Sequence, residues 1–298
     1  MRRSYITLDV FTDQMFGGNP LAVVLNAEGL SSDQMQKIAI EFGYSETTFV
    51  LPPQHSEHTA QVRIFTPGGE IPFAGHPNIG TAFALVMQAE KQGKKLPDTL
   101  LFEEQAGTVL VKLWRQGGAV IQAELRAPEQ LSRRSRALPE AAAACLGLQP
   151  EDIQTDHHAP QIISVGLPFL IVELTSRDAL RRARGDLVTH LNHLKPLGVT
   201  SIYAYTRDRL AEEESDIQAR MFSPIDGIVE DPATGSATAA TIAFLSVLEN
   251  VEENALTFSQ GVDMGRPSLL KARFKEGWAY VLGTAVPVME GCLVAAAD

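Results

Sequence analysis

The sequence predicts an α+β protein of two pseudo-symmetric halves, each a curved, mostly antiparallel sheet or barrel around one hydrophobic helix. Three observations carry this expectation. One stretch is written twice: Arg63-Ile64-Phe65-Thr66-Pro67 matches Arg220-Met221-Phe222-Ser223-Pro224, and Pro77 and Gly80 match Pro232 and Gly235, with 235 − 80 = 155. Similarity repeated across half a chain signals duplication. Each copy then runs into a helix that is small and apolar nearly all round, which needs cover on every side. Finally, short strand-like runs outnumber helices. They lack the regular strand–helix alternation and the Gly-x-Gly-x-x-Gly of a doubly wound nucleotide-binding fold.

Tyr5 to Phe11 reads as a strand, Thr12 to Pro20 as a loop rich in turn formers, and Leu21 to Leu25 as a buried strand. Ser31-Ser32-Asp33 caps a helix whose apolar Met35, Ile38, Ala39 and Phe42 fall at helical spacing, and Gly43 ends it. Strands follow at Thr47 to Leu51 and Gln61 to Thr66, separated by a polar turn with His55 and His58. A helix opens at Ala74-Gly75-His76-Pro77 and runs to about Lys91; proline is tolerated in a first turn because its missing N–H would be unpaired there. Thr99 to Glu103, Thr108 to Trp114 and Ala119 to Leu125 are further strands.

Residues 1–126 thus form an N-terminal half, expected to be completed by a C-terminal strand over 284–298. Residues 127–158, with the basic run Arg133-Arg134-Ser135-Arg136, read as a connecting segment with a solvated charged face. Residues 159–283 replay the first half: strands at Ile162 to Val165, Phe169 to Val172, Ser201 to Thr206 and Gln218 to Phe222, and a helix from Ala233 to about Leu248. Gly166-Leu167-Pro168 stands where the first half has Gly18-Asn19-Pro20. Ser176 to Leu194 reads as one helix with His190 and His193 on a mixed charged face, and Ala211 to Ser215 as an acidic solvated loop. Strands at Ala255 to Phe258, Ser268 to Phe274, Ala279 to Leu282 and Ala285 to Met289 close the chain.

With 298 residues, 45% hydrophobic and 20% charged, the composition is that of a soluble globular protein of two ordinary domains. A net charge of −11 argues against nucleic acid as a partner, since phosphate binding wants a basic surface. No apolar run approaches the roughly 20 residues of a membrane span, and MRRSYITLDV lacks the apolar core of a signal peptide. Cys145 and Cys292 stand outside the repeated motifs and outside any metal-ligand spacing, which fits reduced thiols in a cytoplasmic protein.

The chemistry concentrates at the two helix starts. Gly75, Asn78 and Gly80 have little bulk, so first-turn N–H groups can approach a ligand. Those donors and the positive end of the helix dipole suit a carboxylate. The repeat sets His76 opposite Asp231 and Thr81 opposite Ser236, and gives Glu46 the counterpart Ser201 (46 + 155 = 201). The halves therefore do not supply matching carboxylates, and neither cysteine is near a helix start. This disfavours a mechanism with one like group from each half and favours a single base. His76 and Asp231 could equally serve as helix caps, and capping does not preclude catalysis.

Four stretches together resemble the PhzF-like family of phenazine biosynthesis: Asp9-Val10-Phe11-Thr12 with Gly17-Gly18-Asn19-Pro20; Ser45 to Val50 with Arg63 to Pro67 and Gly75-His76-Pro77; Glu230 to Ala237; and, more weakly, Gln260-Gly261 with Met264 to Ser268. The resemblance implies a diaminopimelate epimerase-like fold with the site between two domains, cofactor-independent isomerase chemistry without a metal, and a homodimer. It places the family's base on Glu46 and its proton-handling residues on His76 and Asp231. Substrate binding falls on Ser45, Gly75, Gly235 and Ser236. The expected activity is a proton shift within a small anionic carboxylate substrate. General base catalysis contributes roughly 10²–10⁴-fold, modest for an unactivated C–H, so the expected position is acidified by conjugation. The alternatives are a non-catalytic small-molecule binding protein on the same fold, and an amino-acid epimerase with Glu46 and Asp231 as opposed bases.

Overall fold

The computed structural model describes residues 2–294. In chain order the elements are β1 (Arg2–Val10), β2 (Asn19–Val24), α1 (Ser32–Phe42), β3 (Glu46–Leu51), β4 (Ala60–Thr66), β5 (Gly69–Ile71), α2 (Gly75–Lys91), β6 (Thr99–Glu104), β7 (Gly107–Gln116) and β8 (Ala119–Arg126). There follow β9 (Ser132–Arg136), α3 (Pro139–Leu146), β10 (Gln161–Ser164), β11 (Pro168–Glu173), α4 (Arg177–Arg182), α5 (Leu187–His193), β12 (Ile202–Thr206), β13 (Ile217–Ser223) and β14 (Ile228–Asp231). The chain ends with α6 (Gly235–Leu248), β15 (Glu253–Gln260), β16 (Ser268–Lys275), β17 (Trp278–Gly283) and β18 (Ala285–Val294). It is a mixed α and β fold rich in strand, divided into two units: Met1–Arg126 with Leu282–Asp298, and Ala127–Val281.

In the first unit β1 lies between β18 and β2, antiparallel to both. The pairing with β18 runs the length of β1, from Arg2↔Val294 to Val10↔Ala285; residues 295–298 of the expected closing strand lie outside the described residues. β3 joins β2 in parallel and β6 joins β4 in parallel, and these connections carry α1 and α2. The two helices cover opposite faces. Met35 and Ala39 of α1 pack with Val24, Phe49 and Phe65, whereas α2 packs against β1, β2, β3, β7, β8 and β18. A strand covered on both sides has no solvent face, which is why Leu21 to Val24 of β2 is an unbroken apolar run and why Thr47 and Thr48 of β3 are buried. The period of two decides which side chains of β3 look where. Phe49 faces α1, and Thr48 faces α2, where its hydroxyl meets that of Thr81 at 2.9 Å. Glu46 shares the face of Thr48.

The second unit follows the same local logic. β12 is parallel to β11 across α4 and α5, and β15 is parallel to β13 across α6. Ile202 and Ala204 face a core built with α3 and α4, whereas Tyr203 faces α6 and bonds Thr238 at 3.1 Å. Residues 127–158, expected as a connection, are packed into this unit. β9 pairs antiparallel with β10, and Ala142, Cys145 and Leu146 of α3 lie in the core with Leu170 and Ile202. The basic run is exposed as expected but forms an edge strand, where charged side chains discourage further pairing.

Several local expectations need correction. The expected helix over Ser176 to Leu194 is broken into α4 and α5. Gly185 sits where a Cβ would come within 2.9 Å of Phe222, and Asp186 caps α5 by accepting the Thr189 N–H at 2.9 Å. His190 is fully buried, with Nε2 3.2 Å from the Cys145 carbonyl, and so is not on a charged face. The acidic loop is tied down through Glu213, which pairs with Arg177. Gly80 does not face a ligand: a Cβ there would lie 2.5 Å from Leu21 Cδ2 and 2.8 Å from Val10 Cγ2, so its bareness lets α2 approach β1 and β2. Asn78 is likewise enclosed, its amide donating to the Ala74 carbonyl at 2.9 Å.

Gly261 is the tightest glycine of the second unit's helix entrance. At φ +73° its missing Cβ would fall 2.4 Å from the Arg266 carbonyl oxygen and 2.7 Å from that of Pro232, backbone that cannot swing away. Gly265 has the same φ of +73° but open space around it. Gly265→Ala is therefore expected to cost about 1 kcal/mol of left-handed strain, and Gly261→Ala about 2–4 kcal/mol once overpacking is added. Denaturant unfolding of the two variants side by side checks this. Equal losses would show that the Pro232 contact carries no weight.

Candidate functional site

The first unit brings Ser45, Glu46, Gly75 and His76 together. Glu46 opens β3 and, by the strand period, points to the α2 side. α2 begins at Gly75, so its second residue, His76, lies level with the start of β3. The result is Glu46 Oε2 at 3.5 Å from His76 Nε2, with side-chain exposures of 13% and 5%. Burial pushes the Glu46 carboxyl up from 4.5 to about 7, and the neighbouring Ser45 hydroxyl acts in the opposite direction. That places the group where a carboxylate both accepts and returns a proton near neutrality.

Asn19, the first residue of β2, completes the cluster. It is fully buried; its Oδ1 accepts the Ser45 hydroxyl at 3.0 Å and its Nδ2 lies 3.5 Å from His76 Nδ1. No side chain caps α2, because its N-cap residue is Ala74. Between Phe73 and Ala84 only Gly75 is partly exposed, so the positive end of the helix is reached through a residue with no side chain in the way.

In the second unit Asp231 ends β14 and is buried, accepting the hydroxyl proton of Thr234 on Oδ2. Asp231 is not the N-cap; that position belongs to Thr234, whose side chain makes no cap bond. The Thr234 N–H goes instead to Oε1 of Gln260 at 3.1 Å, and Gln260 Nε2 donates to the Asp231 carbonyl at 2.7 Å. This explains why the helix begins at Gly235 rather than at the expected Ala233. Arg220 holds the strand before Asp231. Its guanidinium is bidentate to Glu230, both bonds 2.7 Å, and also donates to the Leu180 and Ala183 carbonyls at 3.0 Å. Arg63 and Glu70 form the corresponding pair in the first unit at 2.7 and 2.6 Å. Gly235 opens α6, and between Asp231 and Ala240 only Ser236 is partly exposed.

The sequence reading placed these residues on their elements but missed three. Asn19 and Gln260 lay inside quoted motifs, yet nothing in one sequence says that an Asn beside a Pro or a strand-ending Gln has its amide inside. The third is Glu104, at the end of β6. Its carboxyl is pushed up to about 8 by burial, with the Asn78 amide acting the other way. Serine, not carboxylate, stands where the second unit has its counterpart of Glu46: Ser201 precedes β12 and meets the Ser223 hydroxyl at 2.8 Å. Among the described residues no three His, Cys, Asp or Glu side chains converge to hold a metal ion, and no helix is long and apolar enough to cross a membrane.

Comparison with known proteins decides the family. The family described as "Phenazine biosynthesis-like protein" matches residues 8–291. The chain belongs to this family. A trans-2,3-dihydro-3-hydroxyanthranilate isomerase of Pseudomonas chlororaphis is 35% identical over 271 residues, covering 90% of this chain and 89% of that one. An uncharacterized isomerase of Mesorhizobium japonicum is 38% identical over 98% of both chains. The crystal structure of a PhzF-family phenazine biosynthesis protein of Bacillus anthracis superposes with a TM-score of 0.88, at 25% identity over 99% of this chain and 100% of that one. A hydroxyproline epimerase of Agrobacterium vitis shares the fold at a TM-score of 0.62 and 12% identity, covering 98% of this chain and 92% of that one. The protein is thus a PhzF-family isomerase acting on a small molecule.

The PhzF-family chain carries a measurable cost at Glu104. The folded protein keeps this proton up to about pH 8, whereas the unfolded chain releases it near 4.5. The stabilisation is complete below 4.5 and is lost as pH rises through 8. Glu104→Gln, which keeps shape and neutrality, is expected to match wild type at pH 4 and exceed it by a few kcal/mol at pH 8.5, with about 5 kcal/mol as the ceiling set by linkage. Urea titrations at the two pH values test this; curves that stay parallel across pH would contradict it.

Proposed function

We propose that the protein moves a proton within a small, cyclic, unsaturated carboxylate, using Glu46 as the acid/base. The reading is supported above all by the largely buried Glu46 carboxyl, raised to about 7 and set 3.5 Å from His76. At neutral pH such a group is ionised about half the time, so it can take a proton from carbon and still be acidic enough to give it back. A carboxylate near 4.5 would do the second and not the first.

In this mechanism Glu46 removes a proton from a C–H acidified by a neighbouring double bond. The electron pair delocalises toward the substrate carboxylate, and the same proton returns at a different carbon on one face of the ring. The helix start at Gly75, in the same unit as Glu46, holds the acid group and the charge that develops on it. A charge at a helix N-terminus gains about 0.3–1 kcal/mol, up to about 2 when partly buried. His76, beside Glu46, orients the shuttled proton. A single base is favoured because the repeat sets Ser201, not a carboxylate, opposite Glu46.

The 35% identity to isomerases named for trans-2,3-dihydro-3-hydroxyanthranilate makes that compound the first substrate to test. Incubated in deuterated water with this or a related cyclic dienoate, the wild-type protein is expected to isomerise it. Glu46→Gln is expected to lose about 10²–10⁴-fold or more in kcat, with KM little changed, because the amide keeps the shape but cannot carry the proton. Product and solvent-isotope content are read by NMR. Undiminished turnover by Glu46→Gln would remove Glu46 from this role.

A further inference from the structure

The GGNP motif has so far been given no chemical task, yet its Asn19 sits at the centre of the polar cluster. The donors and acceptors around it fix a direction. An amide oxygen only accepts, so the 3.0 Å contact to Asn19 Oδ1 requires Ser45 Oγ–H to donate. An amide nitrogen only donates, so the contact between Asn19 Nδ2 and His76 Nδ1 makes Nδ1 an acceptor. A neutral imidazole that accepts at Nδ1 carries its proton on Nε2. Nε2 is the atom 3.5 Å from Glu46 Oε2. Ser45 and Glu46 are adjacent in the chain, so the residue that contacts Asn19 also flanks the carboxyl.

We infer that Asn19 is a positioning residue that holds His76 in the Nε2–H tautomer, so that the imidazole presents a proton rather than a lone pair to Glu46. The inference rests on the proton-shift reading for its purpose, but its geometry is independent of any substrate. Chemically, an Nε2–H facing Glu46 stabilises the ionised carboxylate before it takes the substrate proton. After transfer, the same N–H remains available to the charge on the substrate, and no net proton leaves the site. The opposite tautomer would set a nitrogen lone pair against a carboxylate oxygen, which repels the base and offers the substrate nothing.

The location of Asn19 supports a dedicated role. It is fully buried on the strand next to β3, and Gly18 before it adopts φ +60° with a Cβ position only 2.3 Å from the Val10 carbonyl oxygen, so the turn aims Asn19 inward. In the second unit the matching stretch Gly166-Leu167-Pro168 has Leu167, 39% exposed, at that place. At that place the second unit therefore has no amide, and the first unit, which carries the glutamate, has one.

Two measurements test this. The first needs no activity: ¹⁵N NMR of histidine-labelled wild-type protein, assigned by comparison with His76→Gln, is expected to find His76 neutral with Nδ1 unprotonated and Nε2 protonated near pH 7. The second is Asn19→Asp. Its carboxylate accepts but cannot donate, so it should draw the His76 proton to Nδ1. The expected result is a reversed ¹⁵N pattern and a kcat lower by about 10²–10⁴-fold at nearly unchanged KM, the scale seen when a catalytic histidine is held in the wrong tautomer. A wild-type His76 protonated on Nδ1 would overturn the inference, as would Asn19→Asp with a reversed tautomer and wild-type kcat. If no cyclic dienoate is turned over by wild type, the function reading fails, while the ¹⁵N pattern still decides the tautomer.

Discussion

One carboxyl group kept from water at the first residue of a strand is the constraint on which the rest of the site depends. Raising Glu46 from 4.5 to about 7 costs its ionised form on the order of 3 kcal/mol. The fold sustains that cost because β3 is covered on both faces, by α1 through Phe49 and by α2 through Thr48. If α2 were absent, the face that carries Thr48 would be solvated and Glu46 would behave as an ordinary surface acid. The raised pKa is a consequence of packing layers rather than of any single charged neighbour.

The two units spend the same backbone plan on different ends. Each has a parallel pair of strands bridged by a buried helix, and each helix starts without a side-chain cap. In the first unit the strand before the helix face begins with Glu46; in the second it follows Ser201, whose hydroxyl is absorbed by Ser223. The second unit's acid, Asp231, comes from the strand just before its helix and is held by Thr234. One unit therefore offers a glutamate and a histidine, the other an aspartate and a serine.

Much of this was legible in the residues. Strand positions such as Thr47 to Leu51 and Ser201 to Thr206 declared themselves through β-branched and aromatic runs, and the two buried helices through the absence of a polar face. What failed to show was whatever depends on which way a side chain turns. The run Ser176 to Leu194 reads as one helix across Gly185, and the approach of Phe222 and the Asp186 cap explain the break. Ser132 to Arg136 has the composition of a loop but is held by β10. Gly80 and Asn78 looked like room for a ligand, and both turned out to be room for the protein's own packing. Glu46, Ser45 and His76 could be named in advance from the family resemblance. Asn19 could not, because its role lies in the direction of an amide.

The most direct test of the whole account is the titration of the Glu46 carboxyl itself. Infrared difference spectra of the carboxyl stretch between wild type and Glu46→Gln, followed from pH 4 to 9, isolate that group without substrate. The account predicts one protonated carboxyl that disappears with a midpoint near 7. A midpoint near the ordinary value of about 4.5 would mean that the group is not withheld from water, and the proposed proton shuttle would have no base of the required strength.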